Sequence, residues 1–221
     1  LRPAQLLALA SNPSALSAAL SVNNTTTADV YTYAAGYMAL RYLARSSSTS
    51  STTGNFTPNT QVYYDSTKTS IIITAGVSGE LWLDGHTGIT FASSIRNINA
   101  SASNGTAVFA GNDQANLIIS GSGTSSLWGG MGEVNDTLQG GSGTDYFYYG
   151  VHQGIDYITN STASDKVMLY DTAFAYASAQ LSNGNLIINS TTGSLIITNW
   201  SESSMNTFQL ANGDQYKFIQ S

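Results

Sequence analysis

Nine residues constrain this chain more than any others: Gly140-Gly141-Ser142-Gly143-Thr144-Asp145-Tyr146-Phe147-Tyr148. They fit the pattern G-G-x-G-x-D-x-U-x, where U is a large apolar residue, a turn followed by a very short strand. Glycines permit a tight turn that residues with a Cβ resist. The aspartate offers a hard oxygen to a cation, and the apolar residue fills a narrow core.

Units of this kind start at Gly111, Ser120, Gly129, Gly140 and Tyr149, with steps of 9, 9, 11 and 9 residues. With two extra residues allowed in each of the units Gly129–Gln139 and Tyr149–Thr159, their sixth, ligand-type position reads Asn116, Ser125, Asp136, Asp145 and Asp156, and two positions further on stand Ile118, Leu127, Leu138, Phe147 and Ile158. A further unit from Asn160 puts Asp165 and Val167 in the same places, and a weaker one at Ala102 has Gly105 and Phe109 in register. Two such units close one coil, and stacked strands lie about 4.8 Å apart. Coiling then sets Asp136 against Asp156 on one edge and Asp145 against Asp165 on the other, both 20 residues apart. Calcium sandwiched between such turns takes carboxylate and backbone carbonyl oxygens, here with Gly130, Gly132, Gly141 and Gly143 in the turns. Asn116 and Ser125 are poor anionic ligands, so the upper coils are expected to hold calcium weakly or not at all.

On these residues the chain resembles the repeats-in-toxin (RTX) family, secreted bacterial proteins whose glycine-aspartate nonapeptides wind into a calcium-loaded parallel β-roll. Gly121-Ser122-Gly123-Thr124-Ser125-Ser126-Leu127-Trp128-Gly129-Gly130, Asn135-Asp136-Thr137-Leu138 and Gly154-Ile155-Asp156-Tyr157-Ile158 are similar to it as well. So is the closing stretch Thr207-Phe208-Gln209-Leu210-Ala211-Asn212-Gly213-Asp214-Gln215-Tyr216-Lys217-Phe218. The resemblance implies type I secretion and folding on meeting external calcium. Several units lack the aspartate or the glycine pair.

Composition agrees with an extracellular β-rich chain. Of 221 residues 42% are hydrophobic, enough for a sizeable core, while 9% are charged, against about 25% in an ordinary soluble domain. Cysteine is absent, which removes disulfides and thiolate metal sites. A net charge of −6 with seven Lys and Arg argues against nucleic acid as a partner. No stretch reaches the roughly 18 apolar residues of a membrane span. The chain begins at Leu1, read as a processed product or an excised fragment.

Along the chain, residues 1–45 read as a helical segment, a cap or a docking arm, and 46–60 as a Ser/Thr-rich linker. Residues 61–171 read as a β-solenoid containing the repeats at 111–165, and 172–221 as a C-terminal β-hairpin cap. The expected fold is thus mainly β, a parallel β-roll or solenoid with an N-terminal helical cap and C-terminal antiparallel hairpins.

Signals for catalysis are missing. His86 and His152 have no third histidine to complete a zinc site, and no G-x-S-x-G elbow occurs. Glutamate occurs only at Glu80, Glu133 and Glu202, a thin supply for a glycosidase pair. The tryptophans Trp82, Trp128 and Trp200, with Tyr146, Tyr148 and Tyr149, offer either sugar stacking or cross-strand packing. The reading is a non-enzymatic, secreted, calcium-binding structural protein of the bacterial surface or extracellular matrix. Its expected partners are copies of itself, in a filament or surface layer, or a cell-surface glycan if it is adhesive. The alternative is a C-terminal secretion-and-folding module of a larger RTX toxin or hydrolase.

Overall fold

The computed structural model describes residues 54–55, 61–84, 89–130, 132–150, 153–169, 178–190, 193–211 and 213–219. The expected helical segment over 1–45 lies outside them, as does most of the Ser/Thr-rich stretch over 46–60. The described residues contain no helix and are mainly β. The early strands are β1 (Gly54–Asn55), β2 (Val62–Tyr64), β3 (Ser70–Ile73), β4 (Gly79–Trp82), β5 (Ile89–Thr90) and β6 (Asn97–Asn99). The repeats supply β7 (Ala107–Ala110), β8 (Leu117–Ile119), β9 (Ser125–Trp128), β10 (Thr137–Gln139), β11 (Asp145–Tyr149), β12 (Gly154–Thr159) and β13 (Lys166–Leu169). After them come β14 (Ser178–Ser182), β15 (Asn185–Asn189), β16 (Gly193–Ile197), β17 (Phe208–Leu210) and β18 (Gln215–Tyr216).

Two largely parallel sheets hold nearly all of these strands. The larger runs β14-β15-β16-β12-β10-β8-β6-β3-β2 and the smaller β18-β17-β13-β11-β9-β7-β4, while β1 and β5 form a separate parallel pair. From β6 to β13 the chain alternates, one strand to each sheet. Parallel neighbours need a crossover connection, and here the crossover is the intervening strand in the other sheet. Registers follow the repeat: Leu117 sits opposite Thr137 and Thr137 opposite Tyr157, as Leu127 sits opposite Phe147 and Phe147 opposite Val167.

Strand alternation sends every second side chain inward. In the larger sheet the inward row is Ile71, Ile98, Ile118, Leu138, Ile158 and Ile197, in register from strand to strand. In the smaller sheet it is Leu81, Phe109, Leu127, Phe147, Val167 and Phe208. Both rows belong to one apolar cluster, and each fully buried member contributes about 1.5–3 kcal/mol. On the opposite face of the smaller sheet Ala110 separates Trp82 from Trp128 in register. Its small side chain lets the two indoles meet at 5.7 Å between ring centroids.

The parallel pattern ends in antiparallel strands on both sides. β2 pairs antiparallel with β3, and β14 with β15, β15 with β16 and β17 with β18 do the same at the other end. There Trp200 donates its indole N–H to the Met205 carbonyl at 2.8 Å, and Phe208 meets Phe218 edge to face at 4.8 Å.

Candidate functional site: two columns of buried aspartates

Asp145 opens β11, Asp136 and Asp165 immediately precede β10 and β13, and Asp156 is third in β12, each two residues before an inward apolar side chain. Residues two apart share a face, so the carboxylate is carried inward with the core. Asp136, Asp145, Asp156 and Asp165 are accordingly all buried, none more than 2% exposed. Sheet register sorts them into two columns: Asn116, Asp136 and Asp156 beside the larger sheet, and Ser125, Asp145 and Asp165 beside the smaller.

Backbone N–H groups hold the carboxylates. In the first column Asn116 N–H donates to Asp136 Oδ1 at 2.8 Å and Asp136 N–H to Asp156 Oδ1 at 2.9 Å. In the second, Asp145 N–H donates to Asp165 Oδ1 at 2.8 Å. Each turn adds a local donor: Gly141 N–H reaches Asp145 Oδ2 at 2.8 Å and Thr162 N–H reaches Asp165 Oδ2 at 2.6 Å. Asn116, at the top of its column, uses its side-chain amide instead. Its Nδ2 donates to the Arg96 carbonyl, while its Oδ1 accepts Asn112 N–H at 2.9 Å.

The second column breaks one rung higher. By the ladder's logic Ser125 N–H would serve Asp145 Oδ1, but it donates to the Thr144 carbonyl at 3.0 Å. Asp145 Oδ1 is left buried with no hydrogen-bond partner among the described residues. A buried carboxylate oxygen without a donor is costly.

Burial is the first cause of the electrostatics. It pushes Asp136 up to about 7, against the Asn116 N–H, and Asp156 to about 8, where the Asp136 charge adds to it. Asp145 rises to about 6 through burial and the Asp165 charge, restrained by Gly141 N–H and the Ser120 and Ser125 hydroxyls. Burial also raises Asp165, opposed by the N–H groups of Thr162 and Asp145. No basic side chain contributes to any of the four shifts. Burial and the nearby Asp156 raise the Tyr149 phenol as well, and its hydroxyl donates to the Gly154 carbonyl at 3.0 Å.

The turn glycines are fitted closely to their neighbours. A Cβ on Gly141 would stand 1.7 Å from the Gly121 carbonyl oxygen, and one on Gly143 1.8 Å from that of Gly123. Gly130 and Gly132 have φ of +123° and +150°, values that L side chains rarely adopt. The Gly130 carbonyl is already engaged by the Gln153 amide at 3.0 Å.

Do these groups suit the divalent cation that the repeats imply? The oxygens are hard donors of the kind calcium takes, and Asp145 Oδ1 has no hydrogen-bond partner among the described residues. Among the described residues no cluster of three or more His, Cys, Asp or Glu side chains converges. An ion would therefore draw on Asp145 with the Ser120 and Ser125 hydroxyls and backbone carbonyls, not on a cage of carboxylates. The residues fit on those terms.

Other sequence candidates are placed elsewhere. His86 and His152 lie outside the described residues. Glu80 accepts the Trp82 indole N–H at 3.0 Å, and Glu133 and Glu202 are exposed. All three tryptophans and Tyr149 are buried, while Tyr146 and Tyr148 are half-buried on the other face of β11. Sequence reasoning missed Gln153, which is 3% exposed and ties two turns by accepting Gly150 N–H at 2.8 Å while donating to Gly130. The two extra residues of its unit were the signal. No family model matches the chain, and no curated protein matches it.

Proposed function

We propose that this chain is a calcium-stabilised β-roll that serves as a secreted structural element outside a bacterial cell. The observation that carries it is the partnerless Asp145 Oδ1 within a column of stacked, buried carboxylates that no basic side chain neutralises. Two alternating parallel sheets with a 20-residue register support the roll. Calcium entering a column would replace protons on the carboxylates and bind the folded chain alone, which shifts folding by mass action. Extracellular calcium sites typically bind at about 0.1–1 mM, so the same chain would be loose inside a cell and set outside it. Low charge and neutral polar surfaces suit a structural rather than a catalytic role.

Isothermal calorimetry of the whole chain with calcium, repeated on Asp145→Asn, tests this reading. Saturable binding that the variant loses at one or more sites is expected. Absence of binding at 10 mM calcium, about ten times the weakest affinity expected of such sites, would overturn it.

A further inference from the structure

The end of the stack formed by the last strands is left unfinished in a particular way. Among the described residues β14 is the outermost strand of the larger sheet and pairs with β15 alone. All five of its residues, Ser-Ala-Gln-Leu-Ser, are exposed, and none is charged or proline. Natural edge strands are usually blunted by charge, proline or a bulge, because an open edge templates further pairing. The edges of the smaller sheet follow that rule: β4 carries Glu80, and β18 stands between Asp214 and Lys217. β14 does not.

Its side chains point the same way. Ala179 and Leu181 sit opposite Ile188 and Leu186, which are each 2% exposed. Paired residues share a face, so Ala179 and Leu181 are on the core side of the sheet. Yet Leu181 is 44% exposed. Among the described residues the larger sheet has nine strands against seven in the smaller, with β14 at its edge. Tyr216 and Ile219, 53% and 82% exposed, lie at the same end of the stack.

We propose that a second copy of this chain docks on this end, with β14 pairing antiparallel to β14 of the copy across a two-fold axis. This rests on the reading of the chain as a secreted structural element, for which the sequence makes copies of itself the expected partner, and assigns the surface. β14 suits its own image: centred on Gln180, the two-fold sets Ser178 against the copy's Ser182 and Ala179 against its Leu181. No like charges meet. Asn183 and Gly184 both have positive φ, 51° and 76°, the conformation of a two-residue hairpin turn whose flanking pair is hydrogen-bonded. Counting back from Ser182, the backbone groups of Ala179 and Leu181 face away from β15. They are the groups an isologous partner would engage. One strand pair falls short of the about 1,200 Å² of a stable interface, so the dimer should be weak, in the micromolar range or above.

Sedimentation velocity of the whole chain in calcium, over a concentration series, tests the contact alongside amide exchange at Ala179 and Leu181. The expected result is a monomer–dimer equilibrium in which both amides gain protection only as dimer forms. Leu181→Lys and Ala179→Pro should each weaken association at least tenfold while leaving the melting temperature in place. A monomer at every concentration, a dimer that survives both substitutions, or protection that does not depend on concentration would each overturn the proposal. The last outcome would mean that the chain covers its own edge. Calcium-dependent melting of the Leu181→Lys variant reads the calcium function separately, because it does not depend on association.

Discussion

A buried aspartate here is held by backbone amides and by nothing basic, and its behaviour should follow from that. Asn116 shows that an amide is tolerated at the same position, where it accepts the Asn112 N–H. Asp145→Asn should therefore keep the Gly141 contact and leave the melting temperature in chelator unchanged or higher. In calcium it should lower it by about 5–10 °C, the loss of one site filled well above its dissociation constant. Equal losses in both conditions would exclude an ion at Asp145. Proton linkage has a definite sign. Asp136 and Asp156 titrate near 7 and 8 in the fold against 3.8 ordinarily, so the folded chain keeps protons that the unfolded chain releases. Their contribution is complete below about pH 4 and is lost as pH rises through 7 to 8. Asp65, held down to about 2 by the Thr67 hydroxyl and the Ser70 N–H, acts oppositely below pH 4. Thermal melts in chelator should thus peak near pH 4 and decline toward pH 8, with calcium flattening the decline. A chelated chain that grows more stable from pH 5 to 8 would contradict the buried columns. Gly141→Ala, which brings a Cβ to 1.7 Å from the Gly121 oxygen, should cost more than about 2 kcal/mol in denaturant titrations.

At the scale of strands, burial decides which changes matter. Phe147 is fully buried in the inward row of β11, and Phe147→Ala should cost about 3–5 kcal/mol. Leu117, on the outer face of β8 and 37% exposed, should cost no more than about 0.5 kcal/mol as Leu117→Ala. Urea unfolding of the two variants checks the contrast, and similar losses would mean that the face assignment is wrong. The strand positions of the repeats were legible because each unit sets a large apolar residue two positions after its ligand-type residue, so period and face come together. The closing pairs at Asn185–Asn189 and Phe208–Leu210 were signalled by Gly193 and Asn212-Gly213-Asp214. β14 was missed, although Ser178–Ser182 alternates polar with apolar residues and ends at Asn183-Gly184, a two-residue hairpin signal. The donors on the carboxylates were hidden for another reason. They come from rungs 20 residues away, and the sequence placed aspartate over aspartate as bare repulsion where the fold places N–H groups between them. The partnerless oxygen depends on a finer matter still, the switch of Ser125 N–H to the Thr144 carbonyl.

At the scale of the described molecule, antiparallel strands flank both sides of a larger sheet that is otherwise parallel and repetitive. As pH rises through 7 to 8, the loss of protons from the buried carboxylates works against the apolar rows that hold the middle strands. Calcium is what the proposed function supplies at that point, and every filled site between rungs would add about 2.7 kcal/mol at a hundredfold excess over its dissociation constant. The most direct measurement is thermal unfolding at pH 7.5 of the whole chain in chelator, in magnesium and in calcium. The account predicts a melting temperature about 5–10 °C higher in calcium for each site filled, with little change in magnesium. Three superimposable curves would contradict it.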